Sequence, residues 1–129
     1  MDSKYDLAGN VIGCAMRVHR ELGPGFLEKV YQNAMAIELA ETGLEFELEK
    51  RIRVLYREQV IGDYVADIVV CDKESEIVVE LKAVTALTTA HEVQVVNYLT
   101  ATGIDIGLLL NFGGESLQFK KKHRKFRQN

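Results

Sequence analysis

Apolar residues recur with helical spacing at the start of the chain. Leu7, Val11, Cys14, Val18 and Leu22 are three or four positions apart, which places them on one stripe of a helix that stops before Gly23-Pro24-Gly25. A second stripe through Leu27, Val30, Ala34 and Ile37 predicts another helix with those residues buried, ending at Thr42-Gly43; Tyr31 is expected to pack. From Phe46 to Val70 the period shortens to two. Ile52, Val54 and Tyr56 share one face, Glu58-Gln59 offers a turn before Val60-Ile61, and Tyr64-Val65-Ala66-Asp67-Ile68-Val69-Val70 reads as a strand whose only charge is Asp67. The polar stretch Cys71 to Glu76 has hairpin-loop length, so the next apolar run, Ile77 to Lys82, is expected to pair with it antiparallel. Thr89-Ala90-His91-Glu92 matches a capping box for a third helix that runs to about Thr102, with Gly103 past its end. Val95, Val96 and Leu99 face its apolar side, whereas His91, Gln94 and Tyr98 form a polar stripe. Ile106 to Leu110 suits an interior strand, and Asn111-Phe112-Gly113-Gly114 turns the chain into a last short strand around Leu117 and Phe119. The pattern predicts an α/β domain with a central mixed β-sheet flanked by α-helices.

Composition narrows this picture without redirecting it. A chain of 129 residues, 47% hydrophobic and 27% charged, is expected to form one soluble globular domain spanning residues 1–129. The N-terminus lacks a basic region followed by an apolar core, and no apolar stretch approaches membrane-spanning length, so the expected compartment is the cytoplasm, away from membranes. Cys14 and Cys71 lack the paired spacing of a zinc site and read as packing residues. The formal charge of −3 conceals an asymmetry: the tail from Lys120 to Arg127 carries six of the 16 Lys and Arg residues and no acid. Lys120, Lys121, Lys122, Arg124, Lys125 and Arg127 suit a polyanion, or else belong to a solvated, partly frayed terminus over about residues 120–129.

The chemistry concentrates in two strands. In Ile77-Val78-Val79-Glu80-Leu81-Lys82, alternation puts Glu80 and Lys82 on one face with Val78, and Ile77, Val79 and Leu81 on the other. A charge in such a strand is costly to bury unless it is paired, hydrogen-bonded or bound to a metal. Folding about the Cys71–Glu76 loop can bring Asp67 beside Glu80, and two convergent carboxylates with an adjacent lysine read as a site for Mg²⁺ or a similar oxygen-preferring cation. Simpler readings stand beside this one. Glu80 and Lys82 could form a cross-strand ion pair, and Glu28 could serve only the positive end of its own helix. Gln94 and Tyr98 could be ordinary helix residues, and His19 and His91 read as hydrogen-bonded packing residues.

Gly25-Phe26-Leu27-Glu28-Lys29-Val30-Tyr31 resembles the motif that names the GxxExxY proteins, a group within the PD-(D/E)XK nuclease superfamily. Asp67, then Glu80-Leu81-Lys82, then Gln94 with Tyr98 resemble that superfamily's ordered signature, over roughly residues 5 to 120. One departure is Ala66, where the superfamily's name has proline. The resemblance implies a restriction-endonuclease-like core and a Mg²⁺- or Mn²⁺-dependent nuclease hydrolysing phosphodiester bonds of DNA, with no organic cofactor. It further implies that Asp67, Glu80 and the Leu81 carbonyl bind the metal, that Lys82 positions or polarises the attacking water, and that Glu28 adds a carboxylate. Gln94 would orient nucleotide or water, Tyr98 would brace its helix, and Tyr31 would support the fold. The alternative is a catalytically weak or inactive nuclease-fold module that binds nucleic acid or protein. So short a chain holds little beyond the core, so a homodimer or protein partner would supply further surface.

Overall fold

The first apolar stripe forms α1 (Asp6–Leu22), in which Leu7, Val11, Cys14 and Val18 are buried. The computed structural model describes residues 6–124; Lys125 and Arg127 lie outside the described residues. Helix α2 (Glu28–Thr42) ends as expected, with Gly43 in the left-handed conformation at its C-cap.

The buried face of α2 differs from the sequence expectation. Tyr31, Gln32, Met35 and Leu39 are buried, while Leu27, Val30 and Ile37 are exposed and Ala34 is only partly covered. The reason is Tyr31. Its ring stacks on Phe112 at 4.6 Å, its hydroxyl donates to the Gly23 carbonyl at 2.6 Å, and it accepts from the Phe26 amide at 3.2 Å. Tyr31 is buried with Met35 and Leu39 on one stripe, and its stacked ring and satisfied hydroxyl favour turning that stripe inward.

The strands β1 (Glu45–Tyr56), β2 (Gln59–Cys71), β3 (Glu76–Lys82), β4 (Ile106–Asn111) and β5 (Gln118–His123) form one sheet in the order β1-β2-β3-β4-β5. Among the described residues only β3 and β4 run parallel, joined by the crossover helix α3 (Thr89–Thr102). Helices α1 and α2 cover one face together with Ile68, Val70, Ile77, Val79, Leu81, Leu108 and Leu110. On the other face α3 packs Val95 and Leu99 against Val78 and Leu109. Gly107 lets α3 approach closely, because a Cβ there would stand 2.9 Å from Val95. Burial on both faces explains the unbroken run Leu108-Leu109-Leu110.

Three local boundaries shift from their expected positions. The β1–β2 turn is Arg57-Glu58 rather than Glu58-Gln59; both residues have positive φ, as a two-residue hairpin of right-handed twist requires. Helix α3 is capped by Thr88, whose hydroxyl accepts from the His91 amide while His91 Nδ1 accepts from the Thr88 amide, so the box lies one residue earlier than expected. Strand β5 takes in Lys120, Lys121 and Lys122, so the basic run begins inside the sheet. Among the described residues, no helix is long and apolar enough to cross a membrane.

The β1–β2 ribbon changes sides as it crosses the sheet. Phe46 and Leu48 pack towards α1 and α2, but Ile52 and Val54, of the same parity, pack towards α3. Strand β2 does the same between Ile68 and Ala66. The switch falls where Glu49 and Asp67 interrupt the ladder between Leu48–Ile68 and Lys50–Ala66, with Glu49 at φ 51°.

Candidate active site

The pairing of β2 with β3 runs from Cys71–Glu76 to Ile68–Val79 and stops where Asp67 and Glu80 would be next. Side chains take over there. The Leu81 amide donates to Asp67 Oδ2 at 2.8 Å, and the Asp67 backbone favours the ionised Glu80 carboxyl electrostatically. Both groups are nonetheless held above the ordinary carboxylate range. For Asp67 the first cause is burial, aided by Glu28 and Glu49 and opposed by the Leu81 amide and Lys82. Burial likewise drives Glu80, pushing its carboxyl up to about 8 against the opposing pull of Lys82 and the Asp67 amide. Glu80 as a residue is only half-buried, yet its Oε2 is fully buried and without a hydrogen-bond partner. Glu28 and Lys82 act electrostatically on both acids, which ties four of the sequence candidates into one charged group.

A cleft of about 180 Å³ opens on Asp67 and is lined by Glu28, Lys29, Gln32, Glu49 and Leu81 as well. Glu28 and Gln32 are one turn apart on α2. Gln32, 4% exposed, donates from Nε2 to the Asp67 carbonyl at 2.9 Å and so pins the backbone at the point where the ladder is interrupted. Lys29 pairs with Glu49 across the cleft mouth, which holds the Glu49 carboxyl below its usual range.

Glu80, Lys82, Gln94 and Tyr98 do not line this cleft. Gln94, exposed on α3, donates to Tyr98 Oη at 3.1 Å, and the Tyr98 ring stacks on Tyr64 of β2 with centroids 3.6 Å apart. Tyr98 thus fastens α3 to the strand that carries Asp67. Of the basic candidates, Lys122 pairs with Glu92 at 2.9 Å and Arg124 holds Asp105 at 2.8 Å, whereas Lys120 and Lys121 are exposed. His19 behaves as a packing residue, its Nε2 2.9 Å from the Gly114 carbonyl.

Sequence reasoning missed Gln32, Glu49, Tyr64 and Asn111. Gln32 was signalled only by its four-residue spacing from Glu28. Asn111, fully buried at the end of β4, bonds both the amide and the carbonyl of Val84 at 2.9 Å and fixes the segment that follows Lys82. A polar residue closing an apolar strand was its signal.

Among the described residues no three His, Cys, Asp or Glu side chains are grouped to hold an ion. The residues present still fit a divalent cation. Asp67, the buried and unpartnered Glu80 Oε2 and the Leu81 carbonyl would offer oxygen donors only, the chemistry that suits Mg²⁺ or Mn²⁺.

A family model of the PD-(D/E)XK nuclease superfamily matches residues 5–126. The solved structure of SSO0001 is similar in fold, with a TM-score of 0.61 at 15% identity, over 78% of this chain. This chain spans about half of that one, 52%. No curated protein is significantly similar.

Proposed function

The chain belongs to the PD-(D/E)XK nuclease superfamily, and from that premise we propose that it is a Mg²⁺- or Mn²⁺-dependent nuclease hydrolysing phosphodiester bonds of DNA, within the GxxExxY group. One observation carries the reading: a buried carboxylate oxygen without a partner, on Glu80, stands beside a second, half-buried acid and a lysine where the β2–β3 ladder opens. Such an arrangement is unfavourable until a cation neutralises it. Asp67, Glu80 and the Leu81 carbonyl would hold the ion, which when bound supplies Lewis acidity and a more acidic water. Lys82 orients the water and stabilises charge growing on the scissile phosphate. Glu28 adds negative charge at the cleft, Gln94 contacts the nucleotide, and Tyr98 and Tyr31 hold their helices in place.

The test is cleavage of plasmid and single-stranded DNA with Mn²⁺, with Mg²⁺ and with EDTA. Metal-dependent products are expected from the wild type, with Glu80→Ala and Lys82→Ala each lowering the rate by about 10³-fold or more, the loss expected when a principal charge-stabilising group goes. Cleavage that survives in Glu80→Ala sinks the assignment. The position of Gln94 outside the cleft favours a second reading, a binding module of weak or no activity. Metal binding without cleavage in any preparation would select it.

A further inference from the structure

Beyond the point where it leaves β3, the β1–β2 hairpin is a two-stranded ribbon. Strand β2 pairs with β3 only through Ile68 to Cys71, while its pairing with β1 continues from Lys50–Ala66 to Tyr56–Gln59. One face of the ribbon's base is seated on α3 through Ile52, Val54 and Tyr64, and the rest projects. A bare two-stranded ribbon is at best marginally stable in water, and this one also exposes Leu55, Tyr56, Val60 and Ile61, each more than half accessible. Such apolar surface at the end of a projecting element marks a contact site. Its charge names the partner. Residues 50–66 carry Lys50, Arg51, Arg53 and Arg57 against only Glu58 and Asp63, in a chain whose net charge is −3. The Arg51–Asp63 pair is exposed and long, at 3.7 Å, and is readily exchanged for a phosphate. At the tip the Arg57 guanidinium lies 5.5 Å from the Tyr56 ring centroid, which joins a cation and an aromatic face in one place.

We infer that the β1–β2 hairpin is an arm that enters the major groove of duplex DNA and holds it against the Asp67–Glu80 site, with Arg51, Arg53 and Arg57 on the phosphates and Tyr56 at the leading edge. The inference rests on the reading of this protein as one that acts on DNA. A B-form major groove of about 12 Å admits a two-stranded ribbon, whereas the deep, narrow groove of A-form RNA does not, so the arm selects DNA over RNA duplexes. A second copy of the chain is the poorer occupant, since ribbon against ribbon would oppose arginine to arginine. The strand from Asp67 to the turn spans roughly 25 Å at about 3.3 Å per residue, so the arm reaches about seven base pairs from the site.

Binding is read by fluorescence anisotropy in EDTA, across a range of salt, for a 20-base-pair DNA duplex and for RNA of the same sequence. Wild type should bind the DNA more tightly. Arg51→Gln, Arg53→Gln and Arg57→Gln together should weaken DNA binding at least tenfold and flatten the log–log salt dependence by about two to three, with circular dichroism unchanged. Unchanged affinity and slope, or no DNA binding by the wild type, overturns the inference. So does a wild-type dimer in sedimentation that Leu55→Ser with Ile61→Ser converts to a monomer while DNA binding persists. Arm-dependent binding without any metal-dependent cleavage would defeat the nuclease reading and leave the arm standing; cleavage with the triple variant unimpaired would do the reverse.

Discussion

Strands β2 and β3 are built from the same residue types, yet their two halves behave in opposite ways. From Ile68 to Cys71 the ladder is regular and Val69, Val70, Ile77, Val78 and Val79 are buried among apolar neighbours. One residue further on the ladder stops, and the Asp67 carboxylate takes the amide of Leu81. The closed half stabilises the fold by burying apolar surface. The open half is held in place by its surroundings, Gln32 from α2 and the Tyr64–Tyr98 stack from α3, and keeps its charges at a cost in stability. The difference teaches that the chemistry sits where regular pairing is given up.

The sharpest test of that contrast is Glu80→Gln. It should abolish metal-dependent cleavage, by about 10³-fold or more, while raising the melting temperature at pH 8 in EDTA, because the amide removes a carboxyl that resists ionisation where it is buried. A lower melting temperature would refute the idea that the open half is under electrostatic strain. At the closed half the effects reverse. Ile77→Ala, at a buried position paired with Val70, should lose about 2–5 kcal/mol in urea unfolding.

The acids also set a pH dependence. With the Glu80 carboxyl near 8 in the fold and in the ordinary carboxylate range when unfolded, the folded state holds an extra proton between about pH 5 and 8, so stability without metal should fall as pH rises through that window. Metal binding must release that proton, and Mn²⁺ affinity measured by calorimetry should rise by up to about tenfold per pH unit until about 8, then level off. A pH-independent affinity would remove Glu80 from the ligand set. The smallest effect expected is that of Gln32→Ala, about 1 kcal/mol in urea unfolding for the lost bond to the Asp67 carbonyl, with Mn²⁺ binding weakened as well.

Much of this fold was readable from periodicity. The α1 stripe, the glycine stops after α2 and α3, the Cys71–Glu76 hairpin and the antiparallel placement of Asp67 near Glu80 all follow from local rules, and all appear. The errors share a cause. Helix α2 had two usable stripes, and Tyr31 decided between them only through Phe112, about 80 residues away. Lys120 to Lys122 looked like a free tail because nothing local reveals that Gly107, Leu108 and Leu109 wait to pair with them. Likewise, Gln32 and Tyr64 acquire their positions from contacts with Asp67 and Tyr98, distant in sequence.

The sequence alone determined which residues carry charge into an apolar strand, and the order in which the helices and strands occur, because both depend on side-chain chemistry and spacing within a few residues. Whether Glu80 is solvated or starved of partners was decided by tertiary structure. So were the reversal of the β1–β2 ribbon at Glu49 and Asp67, and the face of α2 that meets the cleft. Those outcomes depend on desolvation and long-range packing, energies that exist only once distant segments have excluded water from between them.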